Sequence, residues 1–279
     1  MEKKLVFLDI DGTLVAPGEM DAPQSAVEAI HTAQANGHKV FLCTGRNLRM
    51  TSPMLKYNFD GYICSAGGYV VCDDKVLVDC PMENAQRDGL LEALGSHSVD
   101  CTLEARDMSY SDGHMLRSFT KLSQTAALNS EAERWRKVFE GGVMVRPLAD
   151  YHGEPIYKIC YMAKRREDLE PARALYEDQF VFCEQKMPGS SGDFVNGELI
   201  NRKFDKGTGI KAICTYLGLS MADTIGFGDS ENDLQMTDVV GISVCMANGS
   251  DALKARCDRI CPAVTEDGLA REFKALGLI

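Results

Sequence analysis

Asp9-Ile10-Asp11-Gly12-Thr13 follows directly on the apolar run Lys4-Leu5-Val6-Phe7-Leu8. The run reads as a buried β-strand, and strand alternation puts Asp9 and Asp11 on one face with Ile10 opposite. Two carboxylates that close raise one another's proton affinity unless a cation offsets them. Mg²⁺, a hard oxygen-seeking ion, suits that task. Gly12 and Thr13 then turn the chain sharply. The pair does little for strand stability and is well made for metal-assisted acid and nucleophile chemistry.

Three more polar clusters stand where strands end or helices begin. Thr44-Gly45-Arg46 offers a hydroxyl and a glycine N–H before a helix, which suits an anionic oxygen. Asp205-Lys206-Gly207-Thr208-Gly209 places a lysine at a helix start, where the dipole disfavours a cation unless it pairs with an anion. Gly228-Asp229-Ser230-Glu231-Asn232-Asp233 crowds three carboxylates and an amide at a strand-to-helix turn, in addition to Glu231's neighbour Ser230. Each has a plain structural alternative. Thr-Gly-Arg and Lys-Gly-Thr-Gly are ordinary loop sequences, and Ser230 with Glu231 and Asp233 could simply cap a helix. The Asp-x-Asp-Gly-Thr run is the specific signal, and all four clusters in this order argue for a site.

The elements that would carry them alternate strand and helix. A helix is expected from Pro23 to Asn36, a strand over Lys39–Cys43, a helical segment from Asn47 to Tyr57 and a strand over Tyr62–Cys64. Val70–Cys72 and Val76–Val78 read as a hairpin around Asp73-Asp74-Lys75. The tail repeats the pattern: helix Gly207–Leu217, strand Thr224–Phe227, strand Gly241–Val244, and helices near Asp251–Arg256 and Gly268–Leu276. This predicts an α/β fold with a Rossmann-like parallel-sheet core and helices on both faces. The middle mixes helices (Ala85–Leu94, Glu131–Phe139, Asp168–Asp178) with strands (Ile156–Met162, Phe180–Cys183) and reads as a smaller inserted α/β domain. Pro188–Gly192 looks like a junction, and Asn196-Gly197 like a hairpin turn. The expected boundaries are a discontinuous core of 1–81 and 188–279 and an insert of 82–187.

A chain of 279 residues with a net charge of −11 argues against a general nucleic-acid or anionic-membrane surface, but not against a small phosphorylated ligand held by a metal and local cations. No segment reads as a signal peptide or membrane span. The eleven scattered cysteines form no zinc pattern and suit a reduced, cytoplasmic protein; Cys257 and Cys261 are the closest pair. Asn248-Gly249-Ser250 spells a glycosylation acceptor without a secretion signal to support it.

Together the motifs Asp9-Ile10-Asp11-Gly12-Thr13, Thr44, Lys206 and Gly228–Asp233 resemble those of the haloacid dehalogenase (HAD) superfamily of phosphatases. The α/β insert and the Gly-Asp-Ser-x-Asn-Asp run are similar to the Cof-type subfamily, subclass IIB, with a C2 cap. The resemblance implies a Mg²⁺-dependent phosphatase acting on small phosphorylated metabolites, sugar phosphates or cofactor-like phosphates, through an aspartyl-phosphate. It implies Asp9 as nucleophile, Asp11 as acid/base, and phosphate held by Thr44, Gly45, Lys206 and Asn232. It further implies metal held by Asp9, the Asp11 backbone carbonyl and Asp229, with Asp233 in support. Substrate choice would lie in the cap, where Arg46, His114, Arg117, Lys158 and Glu184 are polar candidates that the sequence does not rank. His31 and His38 fit structural positions. Ser65-Ala66-Gly67-Gly68 stands where relatives often carry Asn-Gly-Ala, and Met246-Ala247-Asn248-Gly249 where they carry Met-Gly-Asn-Ala. A phosphotransferase or mutase using the same chemistry, and a non-catalytic phosphate-binding protein, are the alternatives. Oligomeric state is not legible.

Overall fold

The computed structural model describes residues 3–112, 145–185 and 195–279, which group into two compact units. One unit comprises Met1–Arg46, Thr51–Asp79 and Phe204–Ile279. Its sheet holds β1 (Leu5–Leu8), β2 (Lys39–Cys43), β3 (Gly61–Cys64), β4 (Tyr69–Cys72) and β5 (Lys75–Asp79), with three strands from the tail. The smaller sheet, in the other unit, holds β6 (Asp100–Ala105), β7 (Ser109–Ser111), β8 (Val145–Pro147), β9 (Ile156–Ala163), β10 (Phe180–Gln185) and β11 (Val195–Asn201). The tail strands are β12 (Thr224–Gly228), β13 (Ile242–Met246) and β14 (Arg259–Cys261).

The large sheet runs β14-β13-β12-β1-β2-β3-β4-β5. Pairing is parallel from β14 to β3 and antiparallel for the β3–β4 and β4–β5 pairs, so the expected hairpin closes a parallel sheet. Alternation along β1 splits its apolar residues between two cores. Val6, Leu8 and Ile10 face helices Gln24–Ala35 and Gly268–Ala275, while Leu5 and Phe7 face helix Lys206–Leu217 and Met236. Phe7 stacks on Phe41 of β2 at 5.1 Å between ring centres. Each such buried side chain contributes about 1.5–3 kcal/mol, so β1 is fastened from both sides. β14 is a strand that the sequence pattern did not suggest.

Two expectations need correction. Asn47–Tyr57 is not one helix: a short α-helix, Leu48–Thr51, gives way to a 3₁₀ segment, Ser52–Tyr57, with Pro53 at its start. Proline has no N–H to continue the α-helical ladder. Asn196-Gly197 is not a hairpin turn. Both residues lie inside β11, which pairs antiparallel with β10 on one side and β9 on the other. A Cβ on Gly197 would lie 2.2 Å from the Cys183 carbonyl oxygen, so the glycine serves close strand packing there. The core sequence therefore resumes at Phe204 instead of 188, because β11 belongs to the smaller sheet. His114, Arg117, the expected helix Glu131–Phe139, the Pro188–Gly192 junction and Phe194 lie outside the described residues.

The smaller sheet runs β10-β11-β9-β6-β7-β8. One face packs Leu103, Ile159, Tyr161, Leu199 and Phe180 with Leu90, Leu94 and Ala172 of its helices Asn84–Gly95 and Glu170–Tyr176. Lys158 of β9 stands beside Glu104 of β6, with its Nζ 3.2 Å from Glu104 Oε2 and 2.5 Å from Glu198 Oε1 of β11. All three side chains are buried. Glu184 instead pairs with Arg166 and Arg173.

Removing the lysine would strand two buried carboxylates. Lys158→Ala is expected to lower unfolding free energy by about 3–5 kcal/mol, read from the midpoint of a denaturant titration; an unchanged midpoint would show that the carboxylates are compensated otherwise.

Candidate active site

β1 occupies the point where strand order reverses: the chain moves to β2 and β3 on one side and returns to β12 and β13 on the other. In open α/β sheets this crevice, beyond the carboxyl ends of the strands, is where ligands bind. Asp9 follows β1, and its N–H donates to the Phe227 carbonyl of β12 at 3.0 Å. The chain then tightens into a turn: the Leu14 and Val15 N–H groups donate to the Ile10 carbonyl, and the Gly12 N–H to Val15. Gly12 has φ +83°, and a Cβ there would stand 2.1 Å from Asp229 Oδ2. Glycine at this position lets the Asp229 carboxylate approach the Asp9–Asp11 loop.

Lys206 begins helix Lys206–Leu217 behind an Asp205 cap, whose Oδ1 accepts from the Thr208 N–H at 2.6 Å. Its side chain is buried, and Nζ donates to Asp9 Oδ1 at 2.7 Å and to Asp233 Oδ1 at 2.5 Å. The anion expected from its position at a helix start is therefore supplied twice. Asp233 Oδ2 accepts from the backbone N–H groups of Asp229 (3.0 Å) and Ser230 (3.2 Å), which shapes the loop after β12. Asn232 Oδ1 accepts from the Ser230 hydroxyl at 2.8 Å.

Asp11 is held differently. Arg46 grips it with two parallel bonds, Nε to Oδ2 at 2.9 Å and Nη2 to Oδ1 at 2.7 Å. Arg46, one of the residues considered for substrate choice, thus has a partner within the site. Thr44, buried at the end of β2, accepts the Arg46 N–H on its hydroxyl at 3.1 Å. Ser65 and Ala66, at φ +50° and +56°, back this loop by donating their N–H groups to the Arg46 and Thr44 carbonyls. The segment that departs from the Asn-Gly-Ala pattern therefore acts as a brace for the Thr44–Arg46 loop. His31 and His38 sit in structural contacts, with Tyr57 O and the Lys4 N–H.

Asp9, Asp229 and Asp233 bring carboxylate oxygens within 4.8 Å of one another. One ammonium among three buried carboxylates leaves excess negative charge. Burial pushes the Asp9 carboxyl up to about 7, Lys206 pulls it down, and Asp233 and Asp11 push it further up. Burial, with Asp233 and Asp9 adding to it, likewise holds Asp229 well above the usual carboxylate range. Burial works against the charge on Lys206, but Asp233 and Asp9 overcome it and hold the ammonium firmly protonated. Asp229 Oδ1 is buried with no hydrogen-bond partner. Clustered carboxylates with an orphaned oxygen fit a hard divalent cation.

Residues 6–273 match the model of the haloacid dehalogenase-like hydrolase family. The chain belongs to this family. It is 28% identical over 286 residues to "Putative phosphatase YkrA" of Bacillus subtilis, covering 100% of both chains. It is 27% identical to 5-amino-6-(5-phospho-D-ribitylamino)uracil phosphatase YitU of the same organism, covering 98% of each. The fold matches that of the HAD subclass IIB sugar phosphatase BT4131 with a TM-score of 0.75, 22% identity, and 99% and 100% of the two chains covered. The expected fold class and enzyme class, a phosphoric monoester hydrolase, are borne out. No helix among the described residues is long and apolar enough to cross a membrane.

The raised carboxyls set a direction for stability without metal. The folded state keeps protons that the unfolded chain releases from about pH 4, so this contribution fades as pH rises from there through about 7. In EDTA, Asp229→Asn is therefore expected to gain Tm over wild type increasingly as pH rises above the ordinary carboxylate range. Mg²⁺ at about 100 times its Kd should raise wild-type Tm by roughly 5–10 °C and leave Asp229→Asn unmoved. A pH-independent difference, or equal Mg²⁺ shifts, would contradict this charge balance.

Proposed function

We propose that this protein is a Mg²⁺-dependent phosphatase of small phosphorylated metabolites that works through an aspartyl-phosphate on Asp9. The observation that carries the reading is the Lys206 ammonium bound to both Asp9 and Asp233 beside the orphaned Asp229 oxygen. Asp9, Asp229 and the Asp11 carbonyl would hold the ion, with Asp233 supporting the loop. Bound there, Mg²⁺ would keep the carboxylates ionised and offset charge on the phosphoryl group.

Lys206 engages Asp9 Oδ1, which leaves Oδ2 to attack phosphorus. The Asp9–phosphorus bond forms as the bond to the leaving oxygen breaks, and Asp11 delivers its proton to that oxygen. Water then attacks phosphorus, Asp11 accepts its proton, and Asp9 is released with inorganic phosphate. Lys206, the Thr44 hydroxyl, the Gly45 N–H and the Asn232 amide would steady the phosphoryl oxygens. Arg46 orients Asp11, and the clamp weakens when Asp11 carries its proton, because the carboxyl then brings no charge of its own to the two bonds. The second unit would select among metabolites such as sugar phosphates and cofactor-like phosphates.

Asp9→Asn keeps the shape and removes the nucleophile; kcat on p-nitrophenyl phosphate should fall on the order of 10⁴-fold or more. EDTA should stop turnover and Mg²⁺ restore it. Wild-type rates in either case would refute the mechanism.

Asp11→Asn should cost about 10²–10⁴-fold, more for an alkyl phosphate than for p-nitrophenyl phosphate, whose leaving group needs little proton help. Arg46→Ala should lower kcat in the same substrate order, and the double variant should be no slower than Asp11→Asn alone. Additive losses would mean that Arg46 acts independently of Asp11.

A further inference from the structure

Asn47 stands one residue beyond the Asp11 clamp and belongs to the other unit. The division falls at the Arg46–Asn47 peptide bond: Met1–Arg46 lies in the first unit, whereas Asn47–Met50 groups with Cys80–Lys203. Asn47 is fully buried, although asparagines in loops are mostly exposed. Its carbonyl Oδ1 accepts the Met50 N–H at 2.9 Å and so caps helix Leu48–Thr51. Its amide Nδ2 donates to the Ala105 carbonyl at 2.9 Å and to the Ser109 hydroxyl at 3.1 Å, with the Met108 carbonyl at 3.4 Å. A cap alone would be served by Ser or Asp. The amide donor is what asparagine adds, and these three bonds take it to the second unit.

The acceptors form the turn between β6 and β7, which the Ala105 N–H closes by donating to the Met108 carbonyl at 2.9 Å. The Arg49 N–H adds a bond to the Arg106 carbonyl of the same turn at 3.1 Å. The turn is itself well held. Ser109 lies opposite Glu104 in the β6–β7 register, and Glu104 lies opposite Lys158 in the β6–β9 register. A buried amide engaged at both ends is costly to unseat, because each partner left behind loses its bond.

Arg46 is fastened on the other side of the peptide bond. Its N–H donates to the Thr44 hydroxyl at 3.1 Å, its carbonyl accepts the Ser65 N–H at 2.8 Å, and its guanidinium grips Asp11. Two consecutive residues are therefore bound to different units. The few dihedral angles at their junction must absorb any displacement of one unit against the other. The paired bonds from Arg46 to Asp11 are directional, so a rotation at this junction reaches the carboxylate.

We propose that Asn47 is a positioning residue that ties Arg46, and through it the Asp11 carboxylate, to the β6–β7 turn. Asp11 is then aligned for proton transfer only while the second unit holds that turn in place. A substrate that settles the second unit thereby favours the aligned acid, which couples substrate choice to the chemical step. The tie itself is independent of the phosphatase reading; its effect on turnover rests on it.

Asn47→Ser keeps a helix cap and removes the amide donor, and Ser109→Ala removes one acceptor from the other side. The Arg46 Nε–H resonance of the full-length protein, assigned by its loss in Arg46→Ala, reads the clamp without turnover. Its exchange with solvent should quicken at least about fivefold in Asn47→Ser, and by less in Ser109→Ala. With Mg²⁺, kcat on glycerol phosphate should fall about tenfold in Asn47→Ser and kcat on p-nitrophenyl phosphate only about twofold, because the better leaving group asks less of Asp11. In an Asp11→Asn background the same substitution should cost nothing further. Should Asn47→Ser fail to fold, Ser109→Ala carries the test, with the same substrate order. Unchanged Arg46 exchange in a folded variant would overturn the tie. Equal losses on the two esters, or a further loss on top of Asp11→Asn, would overturn its action through Asp11. A wild-type protein that hydrolyses neither ester would refute the functional reading alone, and the exchange rates would then decide the tie.

Discussion

The Lys206 ammonium is the constraint on which the site depends. It is buried and donates to Asp9 and Asp233 at once, and these two bonds offset its desolvation. Breaking one partner from such a cluster costs about 3–5 kcal/mol, a large share of the stability of an ordinary domain. Through Asp233 the effect extends to the backbone of Asp229 and Ser230, since the second Asp233 oxygen takes both N–H groups. One cation therefore sets Asp9, the loop opposite it and the placement of Asp229.

That cluster is possible only because the sheet delivers its parts to one edge. β1 lies between β12 and β2, so the loops carrying Asp9, Asp229 and Thr44 emerge side by side. Apolar packing on both faces of β1 holds this edge rigid, and Gly12 leaves room for the Asp229 carboxylate. The fold thus gathers more negative charge than Lys206 neutralises. Burial and mutual repulsion hold the Asp9 and Asp229 carboxyls above their usual range in the protein alone, and the divalent cation proposed for this site would answer the excess in a form that leaves Asp9 able to attack.

Much of this was legible in the residues. Asp9, Asp11, Lys206 and Asp229 announce themselves because a carboxylate pair after an apolar strand and a lysine at a helix start are costly unless they meet. The parallel core was legible from alternating apolar runs. The Arg46–Asp11 clamp was not, because it joins two loops 35 residues apart and arginines on loops are usually solvated. Asn196-Gly197 misled because the same dipeptide that favours a turn also suits a central strand pressed against a neighbour's carbonyl.

The central claim is that Asp9, presented by Lys206, carries the phosphoryl group between substrate and water. Rapid acid quench of the enzyme with phosphorus-labelled substrate and Mg²⁺, followed by peptide mapping, tests it most directly. The account predicts label covalently bound within the first turnover to the peptide containing Asp9, and to no other. Release of labelled phosphate at full rate with no protein-bound label at any time before the first turnover is complete would contradict it.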